Sequence, residues 1–369
     1  MTTIADLSRQ IPDTRGINFY TADPDLSYHM RQSLSTEDFE RAQGILSRMG
    51  EVASQRMDEL KQGAMFLTEK QGGSDVGLTA TIARPRPGEN FADDTLQPQW
   101  ELWGDKWFCS NVSADLILTL ARPEGAPAGT RGLGLFLVPR TLDDGTRNAY
   151  TINRLKDKLG TRSLATGEVT LHGAQAYLVG NLERGFVQMT EMINLTRIWA
   201  AFGSLAAMRR SFLEALTYTR ERVAFGRPLA EHPLMRRQLV DLLIEVEGCA
   251  ALAFETVAVL ERVDRHGVEE DRRLLRILTP LSKYYIPKRS EYVTIEALEM
   301  LGGNGYIEEW ANPRLLRDAI VNVVWEGSSN VIVLDVARAM AREGVDAALF
   351  AMLKNRLQAL QNAVVVPVA

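Results

Sequence analysis

The sequence predicts an α+β protein: a block of short strands at residues 64–180, a small barrel or sandwich, followed by a helical bundle at residues 181–369. Three observations carry this. Between residues 64 and 175 the apolar residues come in short runs separated by loops that carry Gly and Pro. From about Glu183 they recur at three- and four-residue steps through long segments. The composition, 46% hydrophobic and 24% charged over 369 residues, is that of a globular chain large enough for two or three packed layers or domains.

Residues 1–63 read as an irregular arm with Pro12 and Pro24, then one helix over Ser35–Leu60. In that helix Phe39, Ala42, Ile45, Met49, Val52 and Leu60 fall near one face, and Ser35 with Asp38 resembles a capping box. The β-type runs are Leu78–Ala83, Gln99–Trp103, Leu116–Ala121, Leu133–Val138, Ala149–Ile152 and Glu168–Leu171, with loops at Arg84–Gly88 and Pro123–Gly132. The helical segments are Phe186–Arg222, Pro233–Asp264, Glu269–Gly302 and Val331–Gln361, an antiparallel four-helix bundle. Gly302, Gly303 and Pro313 end the third, and Met208, Phe212 and Leu216 are core positions. The tail Ala363–Ala369 reads as frayed.

A net charge of −5 gives the whole chain no bulk attraction to nucleic acid or to a membrane. Cys109 and Cys249 lie near no second Cys or His at metal-ligand spacing, which argues against a zinc site and a disulfide framework and suits a reducing cytoplasm. The N-terminus lacks the apolar region of a signal peptide, and no run of 18 apolar residues predicts a membrane span.

The chain is organised around Trp325-Glu-Gly-Ser-Ser-Asn330, which follows the apolar run Ile320–Val324 and turns into a new helix. A carboxylate at Glu326 can sit in an apolar pocket that raises its pKa, as a general base for a carbon acid requires. Taken alone, the six residues favour a plainer reading, an acid at a helix N-terminus.

Other motifs change that balance: Leu67-Thr-Glu-Lys-Gln-Gly-Gly-Ser-Asp-Val76, Gly104-Asp-Lys-Trp-Phe-Cys-Ser-Asn111, Lys158-Leu-Gly-Thr-Arg-Ser163, Arg222-Val-Ala-Phe-Gly-Arg-Pro-Leu229, Leu301-Gly-Gly-Asn-Gly-Tyr306 and Leu316-Arg-Asp318. With Trp325–Ser328 these seven, in this order over Met65–Met340, resemble the acyl-CoA dehydrogenase flavoproteins. The variants in the first three, and the opening Ile17–Asp23, look like the adaptive-response, AidB-like branch.

The resemblance implies FAD, an acyl-CoA substrate, an electron acceptor it does not specify, and a homo-oligomer, dimer or tetramer, with each FAD site built from two subunits. It makes Glu326 the base for the α-proton and Arg197 a supporting residue. An alternative base position of the family is held by Thr196, which cannot serve. Locally, Thr68, Gly72, Gly73 and Ser74 read as a strand-to-loop turn; the resemblance gives Thr68, Gly73 and Ser74 flavin and pyrophosphate contacts. Phe108 reads as core but is implied against the flavin ring, with Ser110 at its polar edge and Cys109 left to the core. Arg222 and Phe225 follow a helix end and are implied to reach a neighbouring subunit's FAD, with Gly302 and Gly303 at its adenosine part. Ser328 and Asn330 complete the implied cofactor set. Glu299 stands where dehydrogenases often have Gln, and His29, His172, His232 and His266 read as surface or cap residues.

One departure stands out. The family places a helical domain of roughly 100 residues ahead of the first motif, whereas 66 residues precede Leu67. The expectation is an N-terminal helical domain largely missing through an internal loss near Lys61–Gly63, leaving Glu326 wetter and its pKa closer to that of a free Glu. Two further readings follow: a nucleic-acid-associated flavoprotein, using the eight Arg against three Glu of residues 197–240 for weak, salt-dependent DNA binding, and a non-catalytic family member. The plainer reading of those arginines is a solvated helix face with FAD and subunit contacts.

Overall fold

The computed structural model describes residues 62–87 and 100–364. The expected arm and the helix Ser35–Leu60 lie outside the described residues.

Seven strands form the first body: β1 (Gly63–Phe66), β2 (Ile82–Pro85), β3 (Trp100–Ser110), β4 (Leu116–Pro123), β5 (Gly134–Pro139), β6 (Tyr150–Leu155) and β7 (Thr166–Leu178). β4, β2, β3, β7 and β5 pair in a ring that closes back on β4, with β1 beside β4 and β6 beside β7. The block is therefore a barrel, and closure pairs the strand edges a sandwich would leave open. Phe66, Leu102, Ile117, Phe136, Val138 and Val169 fill it, and Trp100 meets Phe136 edge-on at 5.4 Å.

The strand boundaries move from those read in the sequence. Val76–Leu78 is a 3-10 turn, so β2 starts only at Ile82, and β1, four residues too short to show a period, was not anticipated. β3 extends through the second motif as far as Ser110, and two register shifts, at Leu102/Trp103 and Lys106/Cys109, bend it along β7. These bulges keep Trp100, Leu102, Lys106 and Cys109 inside while Phe108 faces outward.

The helices are α1 (Gly185–Glu221), α2 (Pro233–His266), α3 (Glu269–Met300), the single turn α4 (Gly303–Tyr306), α5 (Asn312–Val324), α6 (Ser329–Glu343) and α7 (Val345–Val364). α3 runs through the middle, packed on α1, α2, α5, α6 and α7. Leu205, Met208 and Phe212 of α1, Leu242 and Val246 of α2, and Ile286, Val293 and Ala297 of α3 form one core, with Leu216 packed against it. Each of the larger of these side chains contributes roughly 1.5–3 kcal/mol. The expected last helix Val331–Gln361 is two helices, because Gly344 adopts φ 61° and closes α6. The fourth bundle member beside α1 and α3 is instead α5.

Barrel and bundle meet through the third motif. A Cβ on Gly160 would lie 2.3 Å from the Arg317 carbonyl oxygen, so only glycine permits the approach. Beside it the Thr161 amide donates to the Asp318 carboxylate. Among the described residues no single helix is long and apolar enough to cross a membrane.

Candidate active site

α5 ends at Val324, where the Trp325 N–H still reaches the Val321 carbonyl at 3.1 Å and the Trp325 indole donates to Asn322 Oδ1 at 3.0 Å. The chain then reverses through Glu326 (φ 57°) and Gly327 (φ 108°) and enters α6 at Ser329. A left-handed Glu costs roughly 1–2 kcal/mol and persists only where its surroundings impose it. Two cations do so. Arg197 on α1 donates from Nε to the Glu326 carbonyl at 3.2 Å, and Lys283 on α3 donates to the Gly327 carbonyl.

Arg197 is itself held. Its Nη1 lies 3.0 Å from Asp335 Oδ2 and 3.4 Å from Asn194 Oδ1, and Arg276 grips the other Asp335 oxygen at 2.7 Å. Burial works to raise the Asp335 pKa, but the two guanidinium groups carry it below the usual aspartate range. The Glu326 carboxyl is shifted the other way. Burial raises its pKa, against a hydrogen bond to Thr196 and the charges of Arg197 and Lys283. The expectation of a wet Glu326 with an ordinary pKa is thus corrected: the named groups around the carboxyl come from α1 and α3 of the bundle. Lys283 is pulled down to about 8, chiefly by burial, with Arg197 adding to the shift and Glu326 opposing it.

The first two motifs are joined on the barrel, where the Trp107 N–H donates to the Thr68 carbonyl at 2.9 Å. Beneath that contact lies a pair the sequence reading did not single out. Glu69 and Lys106 meet at 2.9 Å with side chains 4% and 0% exposed. Thr81 Oγ1, the Ala80 N–H and Gln71 Nε2 complete the carboxylate's shell at 2.6, 2.7 and 2.8 Å. Burial pushes the Glu69 pKa up, but Lys106 and the hydrogen bonds bring it down to about 2. A charge on each of two adjacent motifs was the available signal. Gly73 backs onto Thr68, whose Oγ1 would lie 2.8 Å from an added Cβ, while Ser74 is exposed.

Phe108 is 55% exposed, with the Lys156 ammonium 5.0 Å from its ring centre and 3.3 Å from that of Trp107. It is therefore not the core residue its local pattern suggests, whereas Cys109 is fully buried. Ser110 Oγ lies 3.1 Å from Thr166 Oγ1, which also meets Lys158 Nζ at 3.1 Å.

Arg222 and Phe225 sit elsewhere. Phe225 (φ 52°) is 96% exposed at the tip of a two-residue hairpin, Val223–Ala224 against Arg227–Pro228. Gly302 and Gly303 are exposed near the same end of α1, where Asn304 donates to the Tyr218 hydroxyl at 3.3 Å. At 1.5 Å per residue, Arg222 lies about 37 Å along α1 from Arg197. One chain thus brings Glu326, Arg197, Thr196, Lys283 and Asp335 together and holds Arg222, Phe225, Gly302 and Gly303 well away. Ser328 and Asn330 are exposed at the start of α6. All four non-glycine residues with positive φ among the described residues, Asn111, Thr161, Phe225 and Glu326, fall in the quoted motifs.

Several arginines of residues 197–240 are committed within the chain. Arg197 is turned inward to Asp335, and Arg210 and Arg237 pair with Glu214 and Asp241. His172 and His266 are exposed; His232 occupies the N-cap position of α2 with no side-chain capping bond, its Nε2 3.0 Å from the Ala224 carbonyl oxygen; His29 lies outside the described residues.

Models of the middle and C-terminal domains of acyl-CoA dehydrogenase match residues 64–174 and 183–341. The chain belongs to the acyl-CoA dehydrogenase family. It is 41% identical to the putative acyl-CoA dehydrogenase AidB of Escherichia coli K12, over 76% of this chain and 48% of that protein. Among solved structures it resembles the apo-form of Bd2924 (34% identity, TM-score 0.77, covering 93% of this chain and 67% of that one). It also resembles Caenorhabditis elegans ACDH-11 in complex with C11-CoA (32% identity, TM-score 0.75, covering 90% and 55%). The chain spans about half the length of the curated relatives it matches. Against this family pattern, Lys283, Thr196, Asp335 and Arg276 are the site residues the sequence reading missed or gave no role. Asp335 was detectable as the one acid in the apolar run Val331–Val336, and Lys283 as a lysine on the helix face of Ile286 and Ser290.

Proposed function

We propose that this chain is an FAD-dependent acyl-CoA dehydrogenase-type oxidoreductase of the cytoplasm that desaturates an acyl-CoA thioester between its α and β carbons. The observation that carries the proposal is the carboxyl of Glu326. It stands in a left-handed turn, its pKa raised by burial, on this family's scaffold. A raised carboxylate is the stronger base, and its ionised form takes the α-proton onto a carboxylate oxygen. Arg197, fixed by Asp335, holds the turn from below.

The residues present fit the cofactor. Phe108 offers an exposed aromatic face beside Lys156, Ser110 a hydroxyl at its edge, and Arg222 a cation suited to a pyrophosphate. Gly302 and Gly303 have nothing within 4 Å of an added Cβ, so a group can approach their backbone. When bound, FAD supplies the acceptor for the β-hydride. The distance along α1 supports a site shared between two chains: Glu326, Arg197 and Phe108 from one, Arg222 and Phe225 from its partner.

The test is direct. Protein purified without added cofactor is expected to be yellow, to release FAD on denaturation, and to bleach anaerobically with butyryl-CoA. A protein that binds no added FAD, or binds it and is bleached by no acyl-CoA of any chain length, would overturn the reading.

A further inference from the structure

Lys283 is a site cation that takes no part in the proposed chemistry itself. It lies mid-way along α3, 2% exposed. Among the described residues no carboxylate pairs with it directly; its ammonium donates to the Gly327 carbonyl. Burying an ammonium without a paired anion costs several kcal/mol. A Leu or Met there would fill the space between α3 and the turn at no such cost.

The geometry explains what the cation does. Arg197 and Lys283 come from different helices and take consecutive carbonyl oxygens, those of Glu326 and Gly327. These lie on either side of Gly327, directly after Glu326, the one residue of the turn, other than glycine, that holds a positive φ. Fixing these two peptide planes pins the turn on the C-terminal side of the Cα from which the Glu326 side chain departs. Resting on the dehydrogenase reading above, we infer that Lys283 is a positioning residue which, with Arg197, locks the Trp325–Ser328 turn and so aims the Glu326 carboxylate at its substrate.

The charged and titratable groups around it give the sign of its electrostatic effect. Glu326 faces Lys283 from the turn, Arg197 from α1, and Lys288 follows on α3; Asp335 of α6 is taken up by Arg197 and Arg276. A positive charge beside Glu326 favours its ionised form, so removing the charge raises the Glu326 pKa further.

Lys283→Met removes the donor and the charge, while Lys283→Gln keeps a donor and removes the charge. The experiment uses the full chain loaded with FAD. Anaerobic reduction by butyryl-CoA is followed by stopped flow from pH 5 to 9, together with carbon-13 titration of the Glu carboxyls, assigned with Glu326→Gln. Lys283→Met should move the acid-side midpoint and the Glu326 titration up by about one pH unit. It should also lower the limiting rate by at least about tenfold, at little change in the butyryl-CoA dissociation constant. Lys283→Gln should recover part of the limiting rate but not the midpoint. If Lys283→Met does not fold, Lys283→Gln carries the titration shift alone. An unchanged Glu326 titration and unchanged limiting rate, with only a lower melting temperature, would reduce Lys283 to a packing residue. If wild type is reduced by no acyl-CoA of any chain length, the dehydrogenase reading fails, and the carbon-13 titration in the resting protein still decides whether Lys283 governs Glu326.

Discussion

Arg197 and Asp335 lie 3.0 Å apart, and the same guanidinium reaches the Glu326 carbonyl from its Nε. The acid on α6 thereby fixes the cation on α1 that supports the base between α5 and α6. Asp335→Asn should leave Arg197 loosely held and lower the rate of acyl-CoA bleaching by about tenfold or more. It should cost about 1–2 kcal/mol of stability at neutral pH, since the pair is only partly screened from water. Because the folded Asp335 pKa is depressed, its contribution is complete above the ordinary aspartate value and is lost as pH falls through the folded one. Melting curves of wild type and variant should therefore differ at pH 7 and begin to converge only as pH falls below about 4, toward the depressed folded value.

Glu69 and Lys106 make a second prediction about the barrel. Removing one partner leaves a buried charge, so Lys106→Met should cost about 3–5 kcal/mol, whereas Glu69→Gln with Lys106→Met should cost less than the single change. The folded Glu69 pKa is lowered from 4.5 to about 2, so the stability it contributes is complete above 4.5 and is lost as pH falls toward 2. Chemical denaturation across that window reads both effects. A single variant as stable as wild type would contradict the pairing.

The separation of Arg222 from Arg197 along α1 makes a third prediction. In a dimer with shared sites, a hybrid of one Arg222→Ala chain and one Glu326→Gln chain rebuilds one intact site, from the native Glu326 of the first and the native Arg222 of the second. Co-purified hybrids carrying two different tags should recover up to half the wild-type bleaching per dimer, while each parental homodimer stays low. Hybrids no more active than the parents would place each complete site within one chain.

The strand-then-helix order and the barrel residues Leu116–Ala121 and Leu133–Val138 were legible because their periods are long or their apolar runs unbroken. α1, α2 and α3 were placed to within a few residues for the same reason. What the sequence hid was decided by tertiary contact. Phe108 reads inward by alternation and points outward because it lies within the irregularity between Lys106 and Cys109, which changes the phase of β3. α6 and α7 read as one helix because Gly344 is a single residue in a helix-compatible composition, and its left-handed φ is seen only in three dimensions. Glu326 was found through its motif. Its raised pKa could not be found that way, since it comes from burial in the folded bundle, which outweighs the opposing pull of Thr196, Arg197 and Lys283 from two distant helices.

The central claim, that Glu326 is the base, is tested most directly by Glu326→Gln in the FAD-loaded protein. The account predicts an unchanged flavin spectrum and cofactor content, retained butyryl-CoA binding, and anaerobic bleaching slowed by about 10²–10⁴-fold. Bleaching of Glu326→Gln at a rate close to that of wild type would contradict it and move the base to another residue.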